Sequence, residues 1–184
     1  MKYRVFLYIF MLGFFANAQA QTKGMFEARN GVINIGSSNI LSNEKIKLQG
    51  DCEFYWNQLL EPKDFSDSAK KFTPQYVKTP KSWTTYKVNG KKLPNKGYAT
   101  YRLFIRKAAD VEQTIYGLKL SSIFSSYKLW VNGNLVAEVG KVGKTKETSE
   151  AAFKYHDVPI VAEPSLGNTD SVEIVIQVSN FKHQ

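Results

Sequence analysis

The feature that most constrains this chain is an Asn-Gly pair placed between two runs in which apolar and polar residues alternate. The runs are Tyr127 to Val131 and Asn134 to Val139, and Asn132-Gly133 separates them. Successive side chains of a strand point to opposite faces, so alternation indicates strands with one buried face. Asn and Gly tolerate the positive φ that a two-residue turn requires. The segment therefore predicts a tight antiparallel hairpin.

Further short alternating runs fill most of the remaining chain, and almost no helical periodicity interrupts them. Turns rich in Gly, Pro and Asn separate the runs, which is typical of an all-β sandwich or jelly roll. Residues 57–71 predict a short helical turn and a loop, and residues 84–96 predict a polar loop. A glycine at position 50 predicts a bulge. The predicted strands cover residues 31–35, 46–56, 76–79, 97–107, 114–120, 153–161 and 172–178.

The first 20 residues have the composition of a signal peptide. Lys2 and Arg4 precede an apolar run from Val5 to Phe15, and small residues fit cleavage after Ala20, with Ala18 as the alternative. The run is short for a bilayer span, so export with cleavage is favoured over an uncleaved anchor. Residues 21–45 then form an extension with a short edge strand, and residues 46–184 form the main domain. The expected location is the periplasm or the extracytoplasmic face of a membrane.

The sequence contains no recognisable catalytic or metal-binding motif. Its two histidines are far apart, and it has neither a Gly-rich phosphate loop nor a nucleophile elbow. Scattered carboxylates give no evident acid/base pair. We therefore expect no catalytic residue, no metal and no cofactor. The single cysteine, Cys52, lies in an apolar and aromatic run and is expected to be a buried structural thiol.

The formal net charge is +9, but the lysines are spread along the chain. Basic charge with aromatic residues can indicate nucleic-acid binding. Dispersed lysines on an exported protein instead favour a solvated basic surface, so we expect no nucleic-acid partner. Weak attraction to anionic lipid or polysaccharide is a further alternative.

Aromatic residues are abundant, with 12 Phe, 10 Tyr and 3 Trp. Sugar rings stack their C–H faces on aromatic rings, and sugar hydroxyls pair with planar polar groups. Most aromatic residues on alternating strands instead fill the core. Arg102 alternates with core residues, so it is either paired on the second sheet face or directed at a binding surface. The candidate ligand-binding residues are Trp83, Tyr98, Arg102, Trp130 and His156.

Several motifs, taken in order, resemble one family over nearly the whole mature chain. They comprise 31–35, 48–62, 77–83, 93–102, 130–133 and 140–143. The pattern is similar to the extracellular galactose-binding-like jelly-roll domain of bacterial seven-transmembrane receptors with diverse intracellular signalling modules. Cys52 stands where that family commonly has Trp. The resemblance implies a sensor of a carbohydrate-like small molecule, acting with a membrane receptor or signalling module in cis or in trans. On this interpretation the chain is the front piece of a receptor, or a separate soluble subunit that acts on one.

A more distant resemblance leads to the sugar-binding domain of glycoside hydrolase family 2. It rests on residues 98–102, the hairpin at 129–133 and the closing Val178-Ser179-Asn180. It implies an accessory domain of a glycosidase. A third alternative is a sandwich that uses its exposed edges for protein contacts and binds no small ligand.

Overall fold

A computed structural model describes residues 26–35, 48–107, 125–152 and 171–182. Within these ranges the fold is all-β, as the sequence predicts, with one α-helix, α1 (Pro62–Ser66), and a single 3-10 turn, Trp83–Thr85. No helix in the described part of the chain has the length and apolar character needed to cross a bilayer. The strands are β1 Glu27–Ala28, β2 Val32–Ile35, β3 Gln49–Trp56, β4 Gln75–Thr79, β5 Lys87–Val88, β6 Lys91–Lys92, β7 Gly97–Lys107, β8 Ser126–Val131, β9 Asn134–Val139 and β10 Ser171–Asn180.

Eight of the strands form one mixed sheet with β7 at its centre, an arrangement consistent with the predicted sandwich. On one side of β7 lies β10, paired antiparallel from Asn180 opposite Gly97 to Ser171 opposite Arg106. The hairpin of β8 and β9 continues the sheet beyond β10, and β3 and β4 extend it on the other side. The predicted turn of this hairpin is confirmed, with φ of 48° at Asn132 and 80° at Gly133.

The segment of β1 and β2 enters the sheet as a wedge between β3 and β7. β1 runs parallel to β3, and β2 runs parallel to β7. At the turn between them, Gly31 N donates to Asp51 O at 3.0 Å, and Gly31 O accepts from Phe104 N at 2.8 Å. The strand predicted at 31–35 is therefore confirmed: Val32–Ile35 pairs with β7, and Gly31 in the turn before it bonds to both β3 and β7.

One face of the sheet, the core face, carries the hydrophobic core. Phe54, Leu129 and Ile174 are buried there. The register places them on one side, since Phe54 is opposite Tyr101 and Ile174 lies between Leu103 and Val131. Cys52 is also buried on this face, as predicted, and burial raises the pKa of its thiol to about 12.

The segment predicted as a polar loop at 84–96 is more ordered than expected. It contains β5 and β6, which form a two-stranded ribbon around Asn89 and Gly90. The Asn-Gly pair is the same turn signal that marks the β8–β9 hairpin, but the flanking lysines hide the alternation of a strand. The strands predicted at 114–120 and 153–161, and the signal peptide at 1–20, lie outside the described residues.

The bulge predicted at Gly50 is wrong, because β3 pairs in continuous register with β1 and β4 through this residue. Gly50 instead lies where the backbone of β1 comes closest to β3. Its φ is +112°, and a Cβ at this position would lie 2.5 Å from both N and O of Ala28. Glycine is required here because the two backbones have no space for a side chain.

We expect Gly50→Ala to destabilise the chain by about 2 kcal/mol or more, because the added methyl group must push β1 away from β3. Gly90→Ala is the matched control: its φ is +78°, but nothing lies within 4 Å of the added Cβ. It should cost about 1 kcal/mol from backbone strain alone. Urea unfolding of both variants measures the difference, and equal losses would contradict the wedge.

Candidate functional site

The opposite face of the sheet, called here the Arg102 face, carries one row of side chains that crosses six strands. The pairing registers place these residues directly opposite one another in sequence from β4 to β9. Neighbouring strands are about 4.8 Å apart, so the row is about 24 Å long. Its members are Tyr76, Glu53, Arg102, Val175, Trp130 and Leu135.

The two ends of this row are exposed and part of its middle is closed. Tyr76 and Leu135 are 47% and 50% exposed, and they are the exposed large hydrophobic residues of the described chain. Val175 and Trp130 are buried. The accessible part therefore extends from Tyr76 on β4, across β3, to Arg102 on β7.

Arg102 is the centre of a charged cluster that joins three strands. Its Nε donates to Glu173 Oε1 on β10 at 2.7 Å, and its Nη1 lies 3.8 Å from Glu53 Oε2 on β3. The Tyr55 hydroxyl donates to the same Glu53 oxygen at 2.7 Å. The side chains of Arg102, Glu53 and Glu173 are 21%, 13% and 21% exposed, so the cluster is half-buried and still reachable from solvent.

Two aromatic rings flank the guanidinium group. Its Cζ lies 4.2 Å from the ring centroid of Phe65 and 4.5 Å from that of Phe104. Phe65 also contacts Tyr55, with ring centroids 5.3 Å apart. Cation–π contacts of this kind hold an arginine in one orientation and are stronger where water is partly excluded. Together Arg102, Glu53, Glu173, Tyr55, Phe65 and Phe104 are called the Arg102 cluster.

The chain positions Phe65 by fastening the segment before it to β7. Leu60 N donates to Thr100 Oγ1 at 2.9 Å, and the Thr100 hydroxyl donates to Gln58 O at 2.8 Å. α1 begins immediately afterwards, with Asp64 accepting from the Glu61 N–H at 2.9 Å. This fixes the short helix over the sheet and holds its aromatic side chain against Arg102.

The structure separates the predicted site residues. Arg102 and Trp130 lie in the same row, and Tyr98 lies four residues before Arg102 on the same face. Trp83 is on the core side: its ring is 5.3 Å from that of Trp56, and its Nε1 donates to Pro94 O at 2.9 Å. Its burial and that of Trp130 favour packing roles for both. His156 lies outside the described residues.

Sequence reasoning left Arg102 either paired or directed at a binding surface, and the structure shows it paired yet partly exposed. The partners Glu53 and Glu173 were missed, although each lies between two apolar residues of its strand and therefore faces away from the core. That alternation was the available signal. Phe65 had no such signal, because its position depends on how the 57–66 segment folds over the sheet.

The chemistry of the cluster suits recognition of a polar ligand. A guanidinium group offers several donors in one plane, and two carboxylates accept hydrogen bonds. Burial first, and then the hydrogen bond to Glu53, raise the pKa of the Tyr55 phenol, which therefore stays protonated at neutral pH. No group of His, Cys, Asp and Glu among the described residues is arranged to hold a metal ion.

Known proteins are similar to this chain in structure but not at the level of a family model or a curated sequence. No protein-family model and no curated protein matches the chain. Among solved structures, a Ruminococcus gnavus beta-glucuronidase is similar at 16% identity with a TM-score of 0.43. The match covers 72% of this chain and 20% of that enzyme, so the chain corresponds to a small part of its length. A similarity this weak carries no argument about function.

We expect Arg102→Met to destabilise the fold by about 1–3 kcal/mol, because it leaves two half-buried carboxylates without their counter-charge. Arg106→Met is the matched control, since Arg106 lies on the same strand and face but is exposed. It should change the free energy of unfolding by less than about 0.5 kcal/mol. Chemical denaturation tests this, and an equal effect of both changes would show that the cluster contributes no specific stability.

Proposed function

We propose that this chain is a non-catalytic sensor domain that binds a carbohydrate-like small molecule on the extracytoplasmic side of a membrane. The observation that carries the proposal is the Arg102 cluster, in which one partly exposed guanidinium group is held between two carboxylates and two aromatic rings. This combination supplies donors, acceptors and apolar ring surface within one small area.

A sugar needs these three features at once. Its hydroxyls form hydrogen bonds with planar groups such as guanidinium and carboxylate, and its C–H faces pack on aromatic rings. The cluster is already ordered by its own contacts, which lowers the entropy lost on binding. Tyr76 lies opposite Glu53 on the edge strand β4 and is 47% exposed, so it extends the aromatic surface beyond the cluster.

A bound ligand could change the relative arrangement of the strands that the cluster connects, and this change would be the signal. Arg102 connects β3, β7 and β10, so a ligand that competes for or adds to these contacts would favour one arrangement of the three strands. A ligand shifts such an equilibrium by its difference in affinity for the two states. We propose that a membrane receptor or signalling module, in cis or in trans, responds to this shift. The signal-peptide pattern at residues 1–20 supports the extracytoplasmic location.

The carboxylates of the cluster support binding rather than catalysis. Glu53 accepts from Tyr55 and lies beside Arg102, and Glu173 accepts from Arg102 Nε. Glu173 is further fixed because its own backbone N–H donates to Asn132 Oδ1 at 2.9 Å. Both groups are therefore held as acceptors in defined positions.

A glycan array followed by calorimetry on the exported full chain tests the proposal. We expect at least one neutral or acidic sugar to bind, and Arg102→Lys to weaken that binding by about tenfold or more, because lysine keeps the charge but loses the planar set of donors. Tyr76→Ala should weaken it several-fold.

Leu135→Ala is the control for Tyr76→Ala, because Leu135 is exposed to a similar extent at the other end of the row. It should leave the affinity unchanged. Binding that survives Arg102→Lys in a folded variant, or no binding to any sugar tested, would overturn the proposal.

A further inference from the structure

One long stretch of the sequence contains many basic residues and no acidic residue. No Asp or Glu occurs between Asp67 and Asp110, whereas eleven basic residues occur there. These are Lys70, Lys71, Lys78, Lys81, Lys87, Lys91, Lys92, Lys96, Arg102, Arg106 and Lys107. In the structure some of these residues, such as Lys70 and Lys78, form ion pairs with carboxylates, and others form none among the described residues.

The ribbon of β5 and β6 concentrates the unpartnered lysines. Lys87, Lys91 and Lys92 are exposed, and within the described ranges none of them forms an ion pair. Lys87 and Lys92 are directly opposite each other across the ribbon. Like charges in this position destabilise a strand pair. The ribbon thus keeps a repulsive pair that its folding does not require.

The base of the ribbon is firmly attached to the rest of the fold. Leu93 N donates to Tyr86 O at 3.2 Å, and Trp83 Nε1 donates to Pro94 O at 2.9 Å. Trp83, Tyr86 and Leu93 are all buried against the core. The ribbon therefore presents its lysines from a fixed support rather than from a flexible loop.

We propose that the β5–β6 ribbon docks the chain onto a bilayer that contains anionic phospholipid. Lysine is a compact point charge without the planar fork that favours one specific phosphate, so a group of lysines suits a diffuse anionic surface. The ribbon carries no exposed aromatic residue for stacking on sugars or bases. Each lysine near an anionic bilayer strengthens attachment roughly fivefold.

The end of β10 lies beside the base of the ribbon, on the side proposed to face the bilayer. Asn180, the last residue of β10, donates from Nδ2 to Asn95 O at 3.1 Å, beside the base of the ribbon. The exposed Lys182 follows. A membrane partner joined after β10 would therefore place the ribbon toward the bilayer, a step that rests on the proposed function.

Vesicle co-sedimentation of the exported full chain tests the docking. Vesicles containing phosphatidylglycerol should bind the chain, vesicles of phosphatidylcholine alone should not, and rising salt should release it. The triple change Lys87→Gln, Lys91→Gln and Lys92→Gln should weaken binding about a hundredfold while the melting temperature stays the same or rises.

The matched control is Lys141→Gln, Lys144→Gln and Lys146→Gln, which removes the same charge from exposed positions elsewhere. It should leave vesicle binding within a few-fold of the unchanged chain. Equal losses in both triple variants, no binding by the unchanged chain, or binding to an acidic polysaccharide in place of vesicles would each overturn the proposal. Because the assay contains no sugar, its outcome is independent of the glycan test of the Arg102 cluster.

Discussion

The structure depends on the long strand β7, which pairs with other strands along both of its sides. Along one side β7 pairs with β10 over almost its whole length, and along the other it pairs first with β3 and then with β2. The same strand places core residues on one face and Arg102 on the other. A strand that must satisfy three partners fixes their register, and a shift by one residue would exchange its two faces.

The pairing of β7 with its neighbours also determines which charged side chains meet at Arg102. Pairing of β3 and β10 with β7 brings Glu53 opposite Arg102 and Glu173 diagonal to it, so two carboxylates from distant parts of the sequence meet one guanidinium group. The helix after β3 then closes one side with Phe65. Partial burial strengthens these electrostatic contacts relative to a fully solvated surface. The same contacts that hold three strands together leave part of the group available to a ligand.

Much of the fold follows from local sequence. β7, β10 and the β8–β9 hairpin are all visible as alternating runs, because their buried faces require apolar residues at every second position. The β5–β6 ribbon was missed since lysines occupy its exposed positions and no alternation remains. The insertion of β1 and β2 between β3 and β7 is a long-range arrangement that no local pattern specifies.

The site was predictable only in part, because a local sequence pattern does not show which distant residues meet. Alternation identified Arg102 as a residue on the second face, but its partners Glu53 and Glu173 lie 49 and 71 residues away along the chain and are set by strand registers. Composition alone made Trp83 and Trp130 candidates for stacking, and it contains no information on which aromatic rings are buried. Their places were decided by tertiary packing, Trp83 against Trp56 and Trp130 beside Val175.

We propose that the Arg102 cluster binds a ligand in addition to holding three strands together. Two-dimensional NMR of the exported chain, observing the arginine Nε–Hε signals and the backbone amides during a titration with the sugar that binds best, tests it most directly. If sugar binds at the cluster, the Arg102 Nε–Hε signal and the amides of Glu53, Phe104 and Glu173 should shift together along one binding curve. Shifts confined to another part of the chain, with the Arg102 signal unchanged, would contradict it.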